Sequence, residues 1–229
     1  MKTAFFQAIE LIFSGDRQLL QLLSVTMKMS RSSSALALLI GVPIGVLLGS
    51  FLFKGRQIFI IINRTFMGLP PVVCGLFCYL LFSGVGPLRH LHLLYTVTGM
   101  VIAQVLLLTP LVIGNMEVYV SAYAPSVWES AKGLGLTRRK TVLLLMNEGQ
   151  YQILSVYLLV FGRALAEVGA VSMVGGAIAF KTNVMTTAIM NYTNMGNFMM
   201  AMALGIILLT VSLILNIGAY IFQRRLKIG

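Results

Sequence analysis

The stretch Pro125 to Glu148, PSVWESAKGLGLTRRKTVLLLMNE, is a polar, helix-patterned insert between two long apolar segments. It carries Trp128, Glu129, Lys132, Arg138, Arg139, Lys140 and Glu148 in a chain that is 58% hydrophobic and only 10% charged. Soluble domains average roughly 25% charged residues, so the bilayer is the expected solvent for most of this chain. The insert is then the part held out in water as a docking surface, and the segments around it read as spanning helices.

A spanning helix needs about 20 mostly apolar residues, and working outward from the insert gives five such runs. They cover Ala35 to Phe53, with a start as early as Leu19 if Lys28 and Arg31 snorkel to an interface; Phe66 to Phe82, after an amphipathic lead from Gln57; Leu94 to Gly114; Ile153 to Phe180; and Phe198 to Phe222. Lipid offers no partner for backbone amides, so each run spans only as a helix. The prediction is one all-α integral membrane domain over residues 1–229, with five or six spans and the insert at about 121–150. Residues 4–13 are too short and too polar for a span or a cleavable signal, and fit an interfacial helix.

The net charge of +11 does not point to nucleic acid, because the basic residues are scattered at span ends and do not gather on one soluble face. With the insert inside, the inner segments hold Lys54, Arg56, Arg64, Lys132, Arg138, Arg139, Lys140, Arg224, Arg225 and Lys227, ten of the 17 basic residues. Outside remain six, Lys2, Arg17, Lys28, Arg31, Arg89 and Lys181, with Arg163 within a span. That bias follows the positive-inside rule and puts the N-terminus outside.

Cys74 and Cys78 share a face of the second span, but two thiols without a nearby His or carboxylate do not close a metal site. They read as helix-packing residues. The outer-loop His90 and His92 lack a third ligand, and the methionines between Met185 and Met202 are too irregular for a copper relay. No Gly-rich phosphate loop, nucleophile triad or acid–base pair is present. The chain is expected to hold no metal or cofactor and to hydrolyse nothing, so any ATP belongs to another subunit.

Within the insert, Pro125 is suited to starting a helix with Glu129 in its first turn, where the dipole favours an acid. Gly133 and Gly135 weaken or end it. A short helix closed by a glycine turn makes a rigid knob, with Trp128 as an anchor. Glu129-Ser130-Ala131, Gly135 six residues after the glutamate, and an apolar Leu145 ten further on resemble the Glu-Ala-Ala and downstream Gly of ABC importer permeases, with one serine in place of an alanine. In that family the helix is the coupling helix gripped by the nucleotide-binding subunit, which implies an ATPase-coupling role for Trp128, Glu129, Ser130, Ala131 and Gly135.

The family's usual closing Leu-Pro pair is Asn147-Glu148 here. With Gly68 to Val73 and Gly162 to Ala170, this departure resembles the oxyanion branch of these permeases. Val174 to Gly176, Thr186 to Ile189 and Ala203 to Ile206 resemble the tungstate permeases within it. The resemblance implies the type I importer fold, a homodimer in the cytoplasmic membrane of a bacterium or archaeon, an extracytoplasmic solute-binding protein, and ATP and Mg on the partner ATPase.

Arg163 and Glu167 stand four apart and on a continuous helix would pair; the pair is either structural or a gate touching the passing anion. Its net neutrality favours the structural role. The polar segment from Lys181 to Asn197 is expected to be an outer loop whose Thr182, Asn183, Thr186 and Thr187 contact a binding protein or the outer mouth. Gly41, Pro43, Gly45 and Gly49, and Pro70-Pro71, supply bends and close helix approach. Molybdate or sulfate as cargo, an ATP-independent channel or secondary carrier, and a membrane-embedded enzyme are the remaining alternatives.

Overall fold

The structure, a computed structural model, describes Phe6, Ile9, Glu10 and residues 16–228, with backbone alone at 219 and 222–228. The interfacial helix expected over 4–13 therefore lies largely outside the described residues, as do Lys2 and the side chains of Arg224, Arg225 and Lys227. Nine helices and one short 3-10 turn (Arg89–Leu91) make up the regular structure among the described residues. They are α1 (Arg17–Ser50), α2 (Arg56–Met67), α3 (Pro71–Phe82), α4 (Val97–Gly133), α5 (Arg138–Glu148), α6 (Gln150–Leu165), α7 (Gly169–Gly175), α8 (Met185–Asn194) and α9 (Phe198–Ile228).

Three of these, α1, α4 and α9, are long and apolar enough to cross a membrane singly. Two more crossings arise if each bent pair counts as one: α2 with α3, bent by 97°, and α6 with α7, bent by 58°. The first span takes the early start. Asp16 caps α1 by accepting the Leu19 N–H at 2.8 Å, and the exposed Lys28 and Arg31 lie ahead of its most apolar half.

The core is built on a seam between α1 and α4. Gly41, Gly45 and Gly49, one turn apart, face Val112, Met116 and Val120. A Cβ at Gly45 would lie 2.6 Å from the Met116 Cβ and 2.8 Å from the Ile113 carbonyl oxygen, so the two backbones touch. In lipid, where apolar burial against water drives nothing, such close van der Waals approach holds helices together. Val156, Val160 and Ala164 of α6 complete the same cluster. Gln104, fully buried in α4, bridges three helices: it accepts from the Ser33 hydroxyl at 2.6 Å and donates to the Ala164 carbonyl at 2.9 Å.

Three expectations need correction. Pro125 starts no new helix, because α4 runs unbroken from Val97 to Gly133 with both Pro110 and Pro125 inside it. The packing of Ala124, Val127 and Trp128 in the core cluster holds the helical path despite the missing amide. The fourth span does not continue to Phe180; α6 stops at Leu165, α7 at Gly175, and Gly176, Ala177 and Phe180 take positive φ. The expected outer loop from Lys181 to Asn197 contains α8, whose Met185 and Ala188 pack with Ala203, Leu204 and Ile207 of α9 and with Leu19 and Leu22 of α1.

Candidate functional site

The far end of α4, the turn after it and α5 form one surface. The turn is a Schellman motif: the Gly135 N–H donates to the Lys132 carbonyl at 3.1 Å and the Leu136 N–H to the Ala131 carbonyl at 2.9 Å. Its left-handed residue is Gly135 at φ +65, a backbone geometry that side-chain-bearing residues adopt only at a cost. The glycine at this spacing is therefore what allows α4 to end at Gly133 and α5 to start at Arg138. Ala131 is buried against the body, while Glu129 and Ser130 face out, the latter donating to the Ser126 carbonyl at 3.0 Å. Trp128 packs edge-on to Phe51, with ring centroids 5.6 Å apart, and its indole N–H is buried without a hydrogen-bond partner.

Thr141 and Leu145 bury the inner face of α5. Its outer side borders an open groove of about 650 Å³ lined by Leu136, Lys140, Leu143, Asn147 and Gln150 among others. Leu134 and Leu143 are 73% and 68% exposed on this otherwise polar piece.

One turn-pair above this surface lies an ionic cluster. Glu117 of α4, its side chain 8% exposed, accepts from Arg56 at 2.9 Å and stands 3.8 Å from Arg64, both on α2. Ser121 donates to the same carboxylate oxygen at 3.1 Å, and Arg56 also reaches the Leu48 carbonyl at the end of α1. Three helices are thereby tied beside the insert. Sequence reading passed over Glu117; an acid just beyond an apolar run, with two arginines across a turn from the preceding span, was the signal available.

Deeper along α6, the two broken spans meet at their breaks. A Cβ on Gly169 would lie 3.0 Å from Val72 Cγ2 and 3.2 Å from the Val72 amide nitrogen, so the start of α7 abuts the start of α3. A pocket of about 300 Å³ opens there, bordered by Pro71, Val72, Arg163, Ala166, Glu167 and Gly169. Arg163 and Glu167 do not form the expected pair. The helix ends at Leu165, which removes the i, i+4 register, and the buried Glu167 carboxylate turns back to accept the Ala170 N–H at 3.3 Å. Arg163 remains exposed in the pocket and has no ion-pair partner among the described residues.

The four outer-mouth candidates are buried within the subunit. Thr182 donates to the Gly175 carbonyl at 2.6 Å, Thr186 to the Glu167 carbonyl at 2.9 Å, and Thr187 to the Asn183 side-chain oxygen at 2.8 Å. Their hydroxyls brace the non-helical link between α7 and α8. Cys74 and Cys78 are buried and free, packed with Ala103, Leu107, Ala170 and Val174. No group of three or more His, Cys, Asp or Glu side chains suited to a metal occurs among the described residues.

Residues 41–228 match the family described as the binding-protein-dependent transport system inner membrane component. The chain belongs to this family of ABC importer permeases. The permease is 33% identical over 219 residues to the tungstate uptake system permease protein TupB of Peptoclostridium acidaminophilum, covering 96% of each chain. It is 34% identical over 220 residues to TupB of Campylobacter jejuni, covering 96% of this chain and 92% of that one. In fold it is similar to a chain of a bacterial ABC transporter involved in the import of the acidic polysaccharide alginate. That likeness has a TM-score of 0.73 at 19% identity and covers 96% of this chain and 83% of the other.

Of the residues singled out by sequence, the permease brings Trp128, Ala131, Gly135 and Leu145 onto one rigid piece, with Glu129 and Ser130 on its outer side. It separates Arg163 from Glu167 and turns Thr182, Asn183, Thr186 and Thr187 inward.

Proposed function

We propose that this permease carries an oxyanion, with tungstate as its cargo, by alternating access, as a homodimer in the cytoplasmic membrane of a bacterium or archaeon. An ATPase subunit docks on the Trp128 to Gly135 end of α4 and on α5, and holds the ATP and Mg; this chain hydrolyses nothing itself. A solute-binding protein delivers the anion from outside. Closure of the ATPase pair draws the two docking ends together and turns the path outward, and hydrolysis resets it inward.

The observation that carries the docking assignment is the Schellman turn at Gly135, which fixes an exposed, leucine-tipped corner on the longest helix of the chain. A corner locked by backbone hydrogen bonds transmits force without bending. The cargo reading is supported by near full-length similarity to two tungstate uptake permeases. The outward apolar side chains of α2 and α3, Ile58, Ile62, Phe66, Val73 and Phe77 among them, accord with lipid or with a second copy.

The test is reconstitution of the permease with its ATPase in proteoliposomes, measuring anion uptake and ATP hydrolysis with the loaded binding protein. Stimulation by tungstate alone supports the full reading. Equal stimulation by molybdate and sulfate makes the machine a general oxyanion importer, and uptake without an ATPase overturns the coupled mechanism.

A further inference from the structure

The cost of charge inside a membrane singles out one residue. Charged side chains within the spanning helices and at their breaks include Lys28, Arg31, Arg56, Arg64, Glu117, Arg163 and Glu167, and of these only Arg163 and Glu167 border the pocket where the two broken spans meet. Glu117 is neutralised by Arg56, and Glu167 is buried and engaged by the backbone of α7. Arg163 is left. It sits 13 residues into α6, about 20 Å along the helix from the docking insert, a depth at which a charged side chain is expensive unless it meets water or a counter-charge.

The chain contains the obvious counter-charge four residues away and does not use it. The break at 166–168 points the Glu167 carboxylate into the subunit and leaves the guanidinium in a pocket of about 300 Å³ that opens outward between the two broken spans. The neutral donors that offered another way to hold an anion, Thr182, Thr186 and Thr187, are spent on internal hydrogen bonds. We infer that Arg163 lines the translocation path and contacts the oxyanion directly, one guanidinium from each copy in the homodimer. This rests on the oxyanion reading above and adds its membrane contact. A planar guanidinium offers paired N–H donors to two oxygens of a tetrahedral anion, a geometry a lysine cannot copy.

The test uses the permease with its ATPase and binding protein in proteoliposomes and reads tungstate imported per ATP hydrolysed, for wild type, Arg163→Lys and Arg163→Met. The expected result is a ratio lower by about tenfold or more for Arg163→Met, the scale of a lost hydrogen bond to a charged group. Arg163→Lys is intermediate. A wild-type ratio in Arg163→Met overturns the inference and leaves the guanidinium facing lipid or a lipid phosphate. Equal loss of import and hydrolysis in both variants assigns it a structural role and overturns the inference too.

If Arg163→Met does not assemble, Arg163→Cys in a Cys74→Ala, Cys78→Ala background is treated with a water-soluble cationic thiosulfonate. Labelling that tungstate slows supports a path residue, and absence of labelling overturns it. Failure of the wild-type complex to import any oxyanion would instead remove the cargo reading on which this contact depends.

Discussion

Replacing Gly135 with alanine tests the docking corner through its backbone alone. A Cβ at this position would meet nothing within 4 Å, so packing contributes no penalty. What remains is the left-handed backbone, φ +65, which costs a residue with a side chain roughly 1–2 kcal/mol. Gly133, two residues earlier, also has open space around it but is the last residue of α4 and has no positive φ. There alanine should gain up to about 0.8 kcal/mol of helix propensity, less than in a helix interior. The two substitutions, chemically identical and two residues apart, are expected to have opposite signs.

If the ATPase recognises the corner in this conformation, the lost population appears directly as weaker binding, by up to about 5–30-fold for 1–2 kcal/mol. The assay is ATPase-subunit binding to the permease in nanodiscs, with thermal unfolding of the same samples. Gly135→Asn should recover most of the loss, because asparagine tolerates the left-handed region. Equal effects of Gly133→Ala and Gly135→Ala, or undiminished ATPase binding by Gly135→Ala, would refute the claim that the turn presents the docking surface.

Glu117→Gln should lower stability by roughly 2 kcal/mol, since it strips a charge-assisted partner from Arg56 while part of the arginine stays wet; a thermal melt that does not move would show the cluster to be ornamental, and a cycle with Arg56→Met isolates the pair. Gly45→Ala is expected to cost about 1–3 kcal/mol by forcing apart α1 and α4. Adding Met116→Ala should rescue little of it, because the Ile113 carbonyl, 2.8 Å from the new Cβ, is backbone. Gln104→Leu removes two buried hydrogen bonds, although the Ser33 hydroxyl keeps the Ser30 carbonyl and the Ala164 carbonyl keeps the Glu167 N–H, for a loss of about 1–3 kcal/mol, read as a lower melting temperature at unchanged dimer assembly.

Much of this architecture is visible in the chain before any coordinates. Apolar runs of spanning length locate the crossings, because a bilayer accepts little else, and the four-residue spacing of Gly41, Gly45 and Gly49 signals a contact seam. Gly135 stands where a helix must stop. The breaks are harder to see. Ala166, Glu167 and Val168 carry no helix-stopping residue, and the turn there comes from packing of Gly169 on Val72 and from a carboxylate finding a backbone amide, both tertiary events. The Arg163–Glu167 pair failed for the same reason: i, i+4 spacing predicts contact only on a helix that continues. Pro125 misled in the other direction, since a proline inside a well-packed helix costs a hydrogen bond without ending the helix. The Arg56–Glu117 tie spans 61 positions and has no local signature.

The unbroken α4 has a mechanical consequence. At 37 residues it is about 55 Å long, and it reaches from its cap at Thr96 to the turn at Gly135 as one continuous helix. The glycine seam clamps α1 along its middle, so the two helices tilt together as a beam. A tilt of only about 5° about that clamp shifts one tip by roughly 5 Å relative to the other, a distance comparable to one helical turn. On the proposed docking, a small stroke at the Gly135 corner moves the Thr96 end of the same helix by a comparable distance.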